Sequence, residues 1–272
     1  MKQKIFLAAI LIFAGILLYQ FLAARLLPYS PVIIGFHRQD YRRAQIYYQA
    51  QDISPFWSID SLVQAVERSH SLIFRRKVEI FICTSDRQYR RYTGSAARFI
   101  TTPLYGRIFI SARAFRDTVK GIIHLDTYLK HELSHSLLYQ NMSLLHSLRY
   151  PGWFMEGLAT YSAGQMGVDG YLNPAETAAK IGEGYFVEPA DWGTVISSKG
   201  KTVTEITLEN KFFFIYAEFA LIISDLIQNY GKERLKELLM RSLDERDFDK
   251  LFFQIYRIDF ESYIKRFRSQ FD

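Results

Sequence analysis

Hydrophobic and polar positions follow three different patterns along the chain. In the first, IFLAAILIFAGILLYQFLAA, residues 5–24, runs for twenty positions without a charge. At about 1.5 Å per residue, a helix of that length matches the ~30 Å hydrocarbon core of a bilayer. In the second, short apolar or alternating runs predict strands at KVEIFICT (77–84), ARFIT (97–101) and GRIFIS (106–111), with Pro103 and Gly106 making the last turn. In the third, helical spacing places Leu62, Val63, Ala65, Val66 and Leu72 on one face of residues 58–73. SDRQYRRYTG, residues 85–94, is bounded by a Ser N-cap and a Gly stop and predicts a short helix.

After Pro151 the helical period dominates. WFMEGLATYSAG predicts one helix closed by Gly164, and residues 165–205, rich in Gly and Pro, are expected to be irregular. Residues 211–231 form a long apolar stretch, but Glu218 and Asp225 interrupt it and make it a core helix instead of a second span. Two amphipathic patterns, KERLKELLMRSL and DFDKLFFQIYRIDFESYIKRF, close the chain.

Composition adds limits. With 272 residues, 49% hydrophobic and 23% charged, the chain can build one sizeable domain or two lobes sharing a cleft. The single cysteine, Cys83, excludes an intramolecular disulfide and cysteine-rich zinc sites, so a metal here needs histidine and carboxylate ligands. Residues 1–150 carry 20 Lys and Arg against 9 Asp and Glu, while the remainder carries 14 against 19. No zinc-finger spacing or ribonucleoprotein motif accompanies the basic clusters FRRKVE and DRQYRRY, so nucleic acid is not an expected partner. A basic lobe tethered to a membrane is expected to face anionic headgroups, with an ordinary solvated face as the alternative.

The sidedness of the span is less direct. Counting Lys2 and Lys4 against Arg25, Arg38, Arg42 and Arg43 would keep the domain in the cytoplasm. Long domains translocate largely regardless of such counts, and Lys2 and Lys4 lead straight into the apolar run, as in an export signal. An extracytoplasmic domain on a single uncleaved span is the expectation, with cleavage after Ala23 or Ala24 as the alternative.

The chemistry concentrates in YLKHELSHSLLYQ, residues 128–140, capped by Asp126 or Thr127. On a helix, His131, Glu132, His135, Tyr128 and Tyr139 share one side, and Leu129, Leu133 and Leu137 the other. Histidines at i and i+4 aim two imidazoles at one point, and the intervening glutamate reaches a water held there. Chance would give His-Glu-x-x-His in about one shuffled sequence of 150, so a third ligand is the sharper test. A third histidine six residues on is excluded, since Asn141 stands there and Leu138 replaces the glycine that variant needs. Glu156 lies on the next helix, with Ala159, Thr160 and Ala163 on its face to permit close approach. His37, His70, His124 and His146 lack partner spacing and read as surface or capping residues. Trp57, Trp153, Trp192 and the Phe run 212–214 read as core, with Trp192 a possible cleft residue.

HELSH followed by WFMEGLATY resembles the gluzincin metallopeptidases, specifically the peptidase MA-like domains of membrane-anchored and secreted bacterial proteins. The resemblance extends through the Tyr-Ala helix, the Tyr-Gly turn and the closing helix pair, covering about residues 77–270. It implies an α+β gluzincin (thermolysin-like) fold: a small mixed-sheet lobe, an active-site helix and a C-terminal helical lobe after one transmembrane helix. In that scheme residues 1–27 are the anchor, 28–140 the sheet lobe and 141–272 the helical lobe. It implies Zn2+ held by His131, His135 and Glu156, Glu132 as catalytic base, and a peptide or protein substrate at a bacterial cell membrane. No histidine follows His146, so the histidine donor of thermolysin-like enzymes is missing. The resemblance puts Tyr216 in the place of the tyrosine donor, ahead of Tyr161. Thr160 stands where a carboxylate partner for the first histidine is expected, leaving that partner open, and no Gly-x-Met-Glu-Asn motif supports aminopeptidase activity. The alternatives are a gluzincin-fold binding module without turnover and a zinc hydrolase of a non-protein amide.

Overall fold

In the computed structural model, which describes residues 2–272 and side chains from residue 5 onward, the charge-free stretch forms helix α1 (Lys2–Ala23). Over Ile5–Ala23 its mean hydropathy is 2.5 and none of it is buried, so it is long and apolar enough to cross a membrane.

The rest is α+β. Five strands, β1 (His37–Asp40), β2 (Ala44–Tyr48), β3 (Val78–Ile82), β4 (Phe99–Thr102) and β5 (Arg107–Ile110), form one mixed sheet in the order β1-β2-β3-β5-β4. β2, β3 and β5 run parallel, and both edge strands pair antiparallel. Helices α2 (Ile59–His70), α3 (Asp86–Thr93) and α4 (Ala112–Val119) complete this lobe.

Strand alternation gives the sheet two buried faces. Ile46, Ile80 and Ile108 are in register on one face, and Tyr47, Phe81 and Phe109 on the other. The aromatic rings stack across the strands with centroids 4.6 and 4.7 Å apart. Burial on both faces explains why KVEIFICT alternates only at its start.

β1, β2 and α4 were not expected. All four positions of β1 are exposed, so it carries no apolar signal, and α4 is only eight residues long. As expected, the Ser85 side chain accepts from Gln88 N to open α3, and Gly94 closes it.

The remaining helices are α5 (Leu125–Asn141), α6 (Leu144–Ser147), α7 (Gly152–Ala163), α8 (Pro174–Gly182), α9 (Pro189–Trp192), α10 (Lys201–Glu205), α11 (Lys211–Tyr230), α12 (Lys232–Ser242), α13 (Phe248–Tyr256) and α14 (Phe260–Arg268). Three of these fall in the stretch expected to be irregular. Its Gly and Pro content masked a complete helix start at α8, where Asn173 and Glu176 form a capping box around Pro174.

Three expectations about individual side chains are corrected. Trp57 is 81% exposed at the end of a short turn, while Trp153 and Trp192 are buried. Of the Phe run, only Phe214 is fully buried; Phe212 and Phe213 line the cleft. His70 is buried, not a surface residue. Glu218 and Asp225 are also buried: Val187 N donates to Glu218 Oε1 (3.1 Å), and Tyr263 OH donates to Asp225 Oδ2 (2.7 Å). The two carboxyl groups bind neighbouring elements to α11, which is why a helix this apolar belongs to the lobe interior.

Two glycines set the distances that matter. A Cβ on Gly157 would meet Phe219 O at 2.7 Å, so the missing side chain lets α7 lie directly on α11. Gly106, at φ +64, sits 2.8 Å from Ser136 O by the same measure, and Ser136 Oγ donates to its carbonyl (2.6 Å). The β4–β5 turn is thereby fixed against α5.

Candidate metal centre

α5 is buried nearly all round, packed against α2, α7, β4 and β5. It starts earlier than expected, at Leu125, with His124 as the N-cap residue in place of Asp126 or Thr127. The reason is tertiary: Asp169, beyond α7, accepts from His124 N at 2.7 Å and pairs with its Nδ1 at 2.7 Å.

The structure brings His131, His135 and Glu156 together. Their facing atoms form a tight triangle: His131 Nε2 to His135 Nε2 is 3.0 Å, and Glu156 Oε2 lies 3.2 and 3.3 Å from the two nitrogens. Atoms bound about 2.0–2.1 Å from a tetrahedral ion lie about 3.3 Å apart, so the spacing fits a shared ion.

The protonation pattern points the same way. Gln165 Oε1 accepts from His131 Nδ1 at 2.7 Å, which leaves His131 Nε2 as a lone pair facing the triangle. Glu156 Oε2 is buried with no hydrogen-bond donor. Burial pushes the Glu156 carboxyl up, but the imidazoles of His135 and His131 outweigh it and hold the group far below the ordinary carboxylate range. Burial pushes the His135 imidazole down, and Glu156 with Glu132 reverses that to a net rise. Converging buried acceptors are costly unless a cation lies between them. His131, His135 and Glu156 can therefore hold a metal ion.

Glu132 stands beside them, 7% exposed, with Thr101 Oγ1 on β4 donating to its Oε2 at 2.6 Å. Among the described residues no hydrogen bond reaches Oε1. Tyr216 faces the same space: its ring lies 6.0 Å from that of His131 at 25°, and 5.5 Å from that of Trp192. Burial, reinforced by the Glu156 charge, raises its hydroxyl well above the usual tyrosine range. Tyr161 is 39% exposed and does not line the cleft.

All of these groups open into one cleft of ≈ 780 Å³, bordered by edge strand β4 on one side and Phe212, Phe213 and Tyr216 on the other. Three participants were not identified from sequence. Gln165 supplies the partner of His131, nine residues after Glu156 and directly after the helix-closing glycine. Thr101 reaches Glu132 from an edge strand. Tyr171, buried at 7% exposure, stacks 6.4 Å from Tyr216 and lines the cleft. A polar residue directly after the Gly164 stop was the available signal for Gln165; the other two carried none.

The chain matches no protein-family model and gives no match among curated proteins.

Proposed function

We propose that the chain is a membrane-anchored, zinc-dependent metallopeptidase of the gluzincin type, with its domain on the extracytoplasmic side. The observation that carries this is the triangle of His131 Nε2, His135 Nε2 and Glu156 Oε2 with the Glu132 carboxylate beside it. Two imidazoles and one carboxylate, open to a cleft, form the ligand set of a catalytic zinc. When bound, zinc supplies Lewis acidity, polarising a carbonyl and lowering the pKa of water toward about 7.

The protein's own groups do the rest. Glu132 takes a proton from water as the new C–O bond forms, then delivers it to the nitrogen as the C–N bond breaks. The products are a carboxylate and an amine. Thr101 keeps Oε2 fixed, so Oε1 is the oxygen free to carry the proton. The Tyr216 hydroxyl, held protonated by its surroundings, donates to the developing oxyanion. A long cleft with an edge strand beside the base suits an extended polypeptide better than a small amide.

The test combines metal analysis with digestion of an unbiased peptide library. Purified protein should contain stoichiometric zinc, and Glu132→Gln should keep the metal while losing about 10²–10⁴ in rate. Unchanged cleavage by Glu132→Gln, or metal-free protein that cleaves equally well, rejects the mechanism.

A further inference from the structure

The span and the cleft are joined without a flexible linker. Past Ala23, Leu26 N donates to Gln20 O and Leu27 N to Ala24 O, both at 3.0 Å. Leu27 is fully buried in the aromatic face of the sheet. Arg107, only 3% exposed, reaches over from β5, and its Nη1 donates to the carbonyls of Leu27, Pro28 and Ser30 at 3.2, 3.2 and 2.6 Å. Its Nε pairs with Glu79, so the buried charge is fully compensated. The Arg25 guanidinium covers Gly94 at the end of α3.

This clamp puts the membrane-proximal chain into the cleft wall. Tyr29 lines the same cleft as His131, Glu132, His135 and Glu156. Tyr139 lines that cleft as well. Tyr139 lies one turn of α5 beyond His135, about 6 Å of rise. From Ala23 to Tyr29 the chain spans at most about 20 Å. Tyr29 and the metal-binding triangle line one cleft of ≈ 780 Å³; a space of that volume is on the order of 10 Å across, which puts the triangle about 30 Å from the end of α1.

We propose that the substrate is a polypeptide anchored in the same membrane and cut in the segment next to the bilayer. This rests on the hydrolase reading and adds a height restriction to it. An extended chain advances about 3.3 Å per residue, so a bond some nine residues from the bilayer already reaches the site. Sharing one bilayer also raises the effective concentration of enzyme and substrate for each other.

The full-length protein, in phosphatidylcholine–phosphatidylglycerol vesicles, is given one mixed-sequence peptide in two forms: fused to a transmembrane helix, and free. The anchored form should be cut at least about tenfold faster, beginning about nine residues or fewer from the bilayer. A twelve-residue Gly/Ser spacer inserted between Ala23 and Ala24 should move the first cut outward by about six residues, since such a linker adds about 20 Å. A second readout needs no activity: energy transfer from a label at Ala97→Cys to headgroup acceptors should place the cleft within about 30 Å and respond to the spacer. Cys83 stays unlabelled because burial pushes its thiol up to about 12. Equal rates for the two forms, cut sites that ignore the spacer, a larger headgroup distance, or membrane-extracted protein lacking α1 each overturn the proposal. If the distance is as expected but Glu132-dependent cleavage of either form is absent, the hydrolase reading fails and this one with it.

Discussion

Where α5 meets α2, His70 Nδ1 donates to Val66 O at 3.0 Å, so Nε2 accepts from Ser134 Oγ at 2.7 Å. Where α5 meets α7, His131 and His135 turn their Nε2 atoms toward each other and toward a carboxylate oxygen that has no donor. Both regions bury imidazole along α5, one from α2 and the other from α5 itself. On one side each ring nitrogen of His70 has a protein partner, which locks the helix to its neighbour; on the other, two imidazole nitrogens and a carboxylate oxygen converge on one point. Two glutamates, one fully buried and one half-buried, repeat the contrast. Burial raises Glu218 well above the usual range even though it accepts from Val187 N, while Glu156 is held far below by the imidazoles. The first arrangement ties two helices together, and the second leaves a site that can hold a metal ion.

Five substitutions test that division. The largest effect is expected from Glu156→Ala: loss of stoichiometric metal and of hydrolysis together, with the fold retained by circular dichroism. Metal binding unchanged in that variant would show that the triangle is not the site. Next, Tyr216→Phe should lower kcat by about 10²–10³ with KM little changed, whereas Tyr171→Phe should not. The reverse pattern would transfer the donor role to Tyr171.

A smaller effect is expected from Gln165→Ala, which removes the acceptor that sets the His131 tautomer. Zinc affinity should fall about 10–100-fold by competition with a chelator, and a change within error would reduce Gln165 to packing. The smallest effect belongs to the satisfied side. Burial lowers the His70 ring to about 4 from its usual 6.5, so the folded protein keeps it neutral while the unfolded chain protonates it. Stability from this group is therefore complete above pH 6.5 and falls as the pH drops toward 4, by about 2 kcal/mol at pH 5. Urea titrations at pH 7 and pH 5 should show that loss in the native protein and a smaller one in His70→Gln, with metal content unchanged in both. An equal loss in the two would assign the acid sensitivity elsewhere.

What was legible in the sequence follows the range over which each feature is encoded. The N-terminal apolar helix, the strands at 78–82 and 107–110 and the capped helix α3 are set by neighbours within a few residues, and they stand as expected. β1 was hidden because an exposed edge strand needs no apolar residues, and α8 because its Gly-rich surroundings hid a valid cap. Glu218 and Asp225 gave a correct conclusion about α11, but through burial and hydrogen bonding with distant elements that no local pattern displays.

The sequence by itself determined the ligand types and their local spacing, because an i, i+4 pair on a helix shares a face whatever surrounds it. It also determined the apolar length of the N-terminal helix. Only the tertiary structure decided that Glu156 meets those rings, that Gln165 and Thr101 orient His131 and Glu132, and that Arg107 holds residues 27–30 against the sheet. Each of these depends on how close two helices or strands distant in sequence can pack. That closeness is fixed by atoms such as the absent side chain of Gly157, whose effect appears only once its neighbour is in place.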